Sequence, residues 1–202
     1  MLGTPKRDRR AERREATRAE ILEAAWDLVR AEGLASLNLR DLAARVGMQA
    51  PSLYSYFDSK HAIYDAMFAQ GYRQLIEARV SAPPPEGVDP ADWLRQRTHL
   101  FITFNVADPA RYQLMFQRTI PGFEPSPESY AVSVAALEEA RAGLASIGLT
   151  EPAHLDLWTA LTTGLADQQI SNDPGGDRWI RLIDDAVEMY LSHVHPTRRK
   201  RK

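Results

Sequence analysis

The stretch from Asn38 to Phe57 constrains the chain most. Asn38 is a good helix N-cap, Asp41 follows three residues on, and Leu39, Leu42, Ala43 and Val46 form an apolar stripe that stops at Gly47. This pattern predicts a helix of about two turns. After the tight Gly47-Met48-Gln49 segment, Pro51 falls in a first helical turn, where its missing N–H costs nothing, and APSLYSYF predicts a second short helix.

Helical spacing continues on both sides. Residues 17–32 place Ile21, Leu22, Ala25, Leu28 and Val29 on one face, with Thr17 and Glu20 spaced as a capping box and Gly33 just past the end. The basic stretch from Lys6 to Arg14 reads either as an extension of this helix or as an arm. From Ser59 a long apolar stripe through Ile63, Met67, Gly71 and Leu75 runs to about Val80, where SAPPPEGVDPAD breaks it. Further helices are predicted near 91–106, 109–119, 127–147, 153–171 and 177–194, separated by Pro and Gly turns. No segment alternates like a strand, and no repeat appears. The expected fold is all-α, about nine helices. It divides into a three-helix helix-turn-helix domain over 1–58 with a basic arm at 1–16, a larger helical domain over 59–196 and a basic tail at 197–202.

Composition narrows the function. The 202 residues are 44% hydrophobic, enough for real cores, and the absence of cysteine rules out a disulfide scaffold and a cysteine-ligated metal. Apolar runs are short and the basic start leads into charged helix, so neither a membrane span nor a signal peptide is expected and the cytoplasm is the default location. The net charge of −2 hides an asymmetry: 13 basic and 11 acidic residues over 1–80, 7 and 16 over 81–197, and five basic residues at 198–202. A polyanion-binding end on an acidic body fits that distribution. The five histidines include only one close pair, His193 and His195, which do not share a helix face, so no metal site is expected. GxSxG, HExxH and phosphate-loop patterns are absent, and neither enzyme activity nor a cofactor is expected.

Two short helices across a Gly-containing turn form the helix-turn-helix pattern, whose second helix lies in the DNA major groove. Ala50, Leu53 and Phe57 fall on the inner face, and Gln49, Ser52, Ser55 and Tyr56 point outward, able to lie against bases and phosphates. Arg40 can reach a guanine edge bidentately. Lys60 sits in a first helical turn, where the helix dipole disfavours a cation and a phosphate partner rationalises it. The same helix pair also serves as scaffold without DNA, with Tyr54 merely packed, so a helical small-molecule-binding or interaction protein is the alternative reading.

Residues 16–67, ATRAEILEAAWDLVRAEGLASLNLRDLAARVGMQAPSLYSYFDSKHAIYDAM, resemble the DNA-binding domain of the TetR (tetracycline repressor) family. The strongest parts are Ile21-Leu22, Ala24-Ala25, Gly33, Asp41-Leu42-Ala43, Val46-Gly47, Leu53-Tyr54, Tyr56-Phe57 and Lys60. The resemblance implies base contacts from Arg40, Gln49, Ala50 and Ser52 and phosphate contacts from Tyr54, Tyr56 and Lys60. Asn38-Leu39 departs from the usual Thr or Ser beside a small residue, so a hydroxyl contact at Leu39 is lost. DPARYQLMF and WTALTTGL are similar to a subgroup whose second domain carries Trp-His-Gly, with Thr163 standing here in place of the His.

The resemblance also implies a homodimer on a palindromic operator and a small-molecule effector, most simply in a repressor. Bulky residues at helical spacing supply a candidate pocket for an apolar or aromatic ligand: Phe101, Phe104, Met115, Phe116 and Trp158, with His99, Asn105, Gln113 and Thr162 as polar groups. Two apolar stripes, Trp158, Leu161 and Leu165 on one helix and Ile180, Ile183, Val187, Tyr190 and Val194 on the last, are the candidate dimer interface, as in a four-helix bundle. The alternative is that both stripes bury into the subunit's own core.

Overall fold

In a computed structural model the described residues, 9–80 and 89–194, form nine α-helices and no strand. They are α1 (Arg9–Glu32), α2 (Leu39–Arg45), α3 (Ala50–Leu53), α4 (Lys60–Val80), α5 (Pro90–Val106), α6 (Pro109–Phe116), α7 (Pro127–Ser146), α8 (Pro152–Asn172) and α9 (Ile183–Val194). Short 3-10 turns follow α1 and precede α9. Lys6, most of the connector after Val80 and the basic tail lie outside the described residues.

Local chemistry places these helices. Asn38 caps α2 by accepting from the Asp41 N–H at 2.9 Å, and its own amide donates to the Asp41 carboxylate at 2.6 Å. Gly47 ends that helix at φ +67°, a conformation costly for any other residue, and the Met48 N–H returns to the Ala43 carbonyl at 2.8 Å. Asp89, Asp108 and Ser126 cap α5, α6 and α7, each followed directly by a proline. Expected and observed limits of these helices agree to within about three residues.

Two expectations change. Thr17 and Glu20 do not start a helix: α1 begins at Arg9, and the Thr17 hydroxyl donates back to the Arg13 carbonyl at 3.0 Å inside it. Residues 9–16 of the expected arm are therefore helical, because α1 is held by the tertiary contacts described below as well as by its own propensity. The last helix begins at Ile183, after a turn and a short 3-10 segment, not at 177.

Two cores result. The first joins α1 to α4 around Ile21, Trp26, Leu42, Leu53, Phe57, Ile63, Tyr64 and Met67. The second joins the far half of α4 to α5, α6, α8 and α9 around Leu75, Trp93, Leu94, Phe101, Tyr112 and Val187. Helix α6 serves both, giving Ala110 and Leu114 to the first and Tyr112 and Met115 to the second.

Polar contacts key α4 and α1 to the rest. Trp26 Nε1 donates to Gln70 at 2.8 Å, and the Arg30 guanidinium pairs with Asp108 at 2.9 Å where that carboxylate also caps α6. The Asp65 carboxylate accepts from the Ser126 N–H at 2.6 Å, the Ser126 hydroxyl at 3.0 Å and the Ser129 hydroxyl at 2.7 Å, fixing the start of α7. Tyr72 donates to the Met115 carbonyl at 3.0 Å. At Gly71 a Cβ would lie 2.7 Å from Met115 Sδ, so the bare backbone is what lets α4 and α6 approach.

Candidate functional site

Helix α3 is little more than one turn, held by Leu53, which is fully buried, and by Phe57 just beyond it. With that side committed to the core, Gln49, Ser52 and Tyr54 face solvent. Arg40, in the first turn of α2, is exposed, and its guanidinium makes no hydrogen bond or ion pair with the described residues. Ala50 and Tyr56 are half-buried at the edge of the same surface. One side of the head thus presents an arginine, an amide and hydroxyls on a rigid frame.

The basic helix end is folded against this surface. Arg14 donates to the Ser55 carbonyl at 2.6 Å and lies over the Tyr56 ring, while Arg18 donates to the Tyr56 carbonyl and stacks 4.1 Å from the Phe57 ring centre. Both cations satisfy carbonyls that the short α3 leaves open. The tethering role of Arg14 and Arg18 depends on long-range contacts that sequence spacing does not reveal. Lys60 is half-buried, donates to the Ala35 carbonyl at 3.3 Å and sits 5.4 Å from the Tyr64 ring centre, which leaves two of its three N–H groups available.

A second feature lies in the body, a cavity of about 300 Å³ walled by α4, α5, α7 and α8. Phe101, Phe116 and Trp158 line it, together with Tyr72 and Leu75 of α4, as does the expected polar residue Thr162. Met115 lines a neighbouring cavity of about 320 Å³, which shares Tyr72, Phe116 and Tyr130 with the first. Phe104 lines neither; it is half-buried with the Arg111 guanidinium 3.6 Å over its ring. Nor do His99, which is exposed, Asn105, which is fully buried and bonded to the Phe101 carbonyl, or Gln113. Arg97 and α7's Glu139 line the first cavity too, and the sequence reading missed both, because an isolated charge on a helix reads as solvated.

The expected dimer stripes point largely inward. Trp158, Ile183, Val187 and Tyr190 are buried in the subunit's own core; the Trp158 and Tyr190 rings are 5.0 Å apart and Tyr190 donates to the His154 carbonyl at 2.9 Å. Leu161, Leu165, Ile180 and Val194 are half-buried. What α8 and α9 turn outward is Leu157, Ala160, Gly164 and Met189. Among the described residues no group of acidic and histidine side chains could hold a metal, and no helix is long and apolar enough to cross a membrane.

Residues 21–67, which contain α2, the turn, α3 and the start of α4, match the family model of bacterial regulatory proteins, tetR family. This segment of the chain is thus similar to the tetR family. It is 43% identical over 47 residues to the tetracycline repressor protein class A from transposon 1721 of Escherichia coli, a stretch that is 23% of this chain and 22% of that one. An HTH-type transcriptional regulator of Mycobacterium tuberculosis is 25% identical over 132 residues, 65% of this chain; the chain covers 56% of that relative's length. For the whole fold, the crystal structure of a tetR-family transcriptional regulator from Streptomyces coelicolor superposes with a TM-score of 0.69 at 19% identity, over 88% of this chain and 80% of that one. The matched residues hold the exposed surface of α2 and α3, and the likeness to the solved structure extends through the cavity-bearing body as a likeness of fold.

Proposed function

We propose that the chain is a DNA-binding transcriptional regulator, a repressor that holds a palindromic operator as a homodimer and releases it when a small apolar or aromatic molecule enters the body cavity. The observation that carries this reading is the surface itself: Arg40, Gln49, Ser52 and Tyr54 exposed side by side, with the arginine uncommitted. A helix pair used only as scaffold has no need of it. Arg40, Gln49, Ala50 and Ser52 would meet base edges, and Tyr54, Tyr56 and Lys60 would meet phosphates.

Helix α4 supports the coupling between the two ends. Lys60 stands at its start beside the DNA-facing surface, and Tyr72, Leu75 and Arg79 in its far half line the cavity. A ligand that shifts this half relative to α6 and α7 tilts the half that carries the head, changing the spacing of two heads in a dimer. A coupling of about 1–3 kcal/mol suffices, and operator must weaken ligand binding by the same factor. For the dimer, Leu157, Ala160 and Gly164 of α8 with Met189 of α9 form the outward patch, and half-buried Leu161 and Leu165 border it.

Salt dependence tests the reading. With roughly 6–10 phosphate contacts, affinity for operator should fall about 10³–10⁵-fold between 50 and 200 mM salt. A flat response refutes phosphate binding and leaves the scaffold alternative.

A further inference from the structure

The body cavity is lined mainly by apolar side chains, and two guanidiniums and one carboxylate are the charged groups in its wall. Arg79 and Arg97 both line it, as does Glu139. The Arg79 side chain is only 15% exposed; it donates to the Ala136 carbonyl at 2.8 Å and stands 4.0 Å from the Glu139 carboxylate. Arg97 is half-buried, donates to the Arg79 carbonyl at 2.9 Å and lies over the Trp93 ring. Burial lowers the pKa of both arginines, and Glu139 only partly offsets this.

Three groups leave a net charge of +1 with unspent donors. Each guanidinium has five N–H groups, far more than these carbonyls accept. Trp93 Nε1 is buried without an acceptor, and Glu139 Oε2 is buried without a donor. Buried polar groups in this state call for a partner. Aromatic rings also line the cavity, among them those of Tyr72, Trp93, Phe101, Phe116 and Trp158.

The geometry points to a monoanionic effector, an apolar ring-bearing molecule whose carboxylate docks on Arg79 and Arg97. The inference rests on the cavity being the effector site and specifies what enters it. A carboxylate matches a guanidinium fork with two parallel hydrogen bonds and cancels the single excess charge. A dianion would exceed that charge, and a cation would face two guanidiniums across low-dielectric walls. Glu139 stands beside Arg79 without a hydrogen bond to it, and its Oε2 can accept one from a hydroxyl or amide N–H on the ligand.

A matched set of probes decides the matter: 4-butylbenzoate, 4-butylbenzyl alcohol and 4-butylbenzylammonium, titrated into the full chain by calorimetry and by the fluorescence of Trp93 and Trp158. The benzoate should bind roughly tenfold or more tightly than the alcohol, and the ammonium most weakly. Arg97→Gln should bring the benzoate down to the alcohol's affinity and leave the alcohol unchanged. Glu139→Gln should tighten the benzoate further, a gain that a misfolded variant cannot produce. The inference is overturned if none of the three binds, if the alcohol or ammonium equals the benzoate, or if the preference survives both Arg79→Gln and Arg97→Gln. Operator release is scored separately. Release by the alcohol as effective as by the benzoate keeps the effector reading and overturns this one; benzoate binding that leaves operator affinity unchanged keeps the anion site and overturns the effector reading.

Discussion

Head and body use their aromatic residues in opposite ways. In the head Trp26, Phe57 and Tyr64 are buried in the core, and the chemistry is left on the outer surface. In the body Trp93, Phe101, Phe116 and Trp158 surround a void of about 300 Å³, while Tyr130, Val134 and Leu137 of α7 stay exposed along its rim. A close-packed head transmits position faithfully, because a dense interior shifts as a unit. A body with a void gives up dispersion contacts along its walls, and a ligand can restore them. The proposed function uses both, a firm surface at one end to read DNA and an adaptable interior at the other to take a ligand.

Alkali should separate the two regions most. Burial pushes the phenols of Tyr64, Tyr72, Tyr112 and Tyr190 up to about 12, from an ordinary value of 10.0 in the unfolded chain. A neutral phenol is therefore favoured in the folded state. The stability this supplies is complete below pH 10 and is lost as the pH climbs through 12. Three of the four phenols are in the second core or on its border, so the body should fail first. Melting followed by circular dichroism should fall steeply between pH 10 and 12, and a Tyr112→Phe/Tyr190→Phe double variant should flatten the fall more than Tyr64→Phe does. Equal flattening would erase the distinction.

Truncation offers the next contrast. Trp26→Ala, at 1% exposure in the closed core, should cost about 3–5 kcal/mol in urea unfolding. Phe116→Ala, half-buried against an existing void, should cost only roughly 1–2 kcal/mol. Comparable losses would mean that the body is packed as tightly as the head.

A smaller contrast lies within the reading surface. Arg40→Ala should weaken operator binding by about 1–3 kcal/mol and relax one base position. Lys60→Ala should weaken all duplexes alike and lower the salt slope by about one. Fluorescence anisotropy with operator and with scrambled duplex checks both; a uniform loss from Arg40→Ala would move that residue from bases to phosphates.

The sequence revealed far more of the head than of the body. Asn38, Gly47 and Pro51 mark the ends of short helices by local chemistry, and local chemistry survives in the fold. The start of α1 escaped because Thr17 has the composition of a cap but lies in the middle of a helix tethered by Arg14 and Arg18 to the Ser55 and Tyr56 carbonyls, about 40 residues away. In the body a helical period shows that Ile183, Val187 and Tyr190 share a face without showing what covers it, and α5 and α8 of the same subunit do. Phe104 lies outside the cavity with the Arg111 guanidinium over its ring, while Arg97 went unread as a cavity residue because helical charges usually meet water.

The central claim is that this surface reads a DNA sequence, and selection from a pool of random duplexes with the purified full chain tests it most directly. The account predicts enrichment of an inverted repeat whose half-sites lie about one helical turn, roughly 34–36 Å, or a multiple of it apart, with one position per half-site relaxed when the selection is repeated with Arg40→Ala. Recovery of unrelated sequences after repeated rounds, with a folded protein, would contradict it.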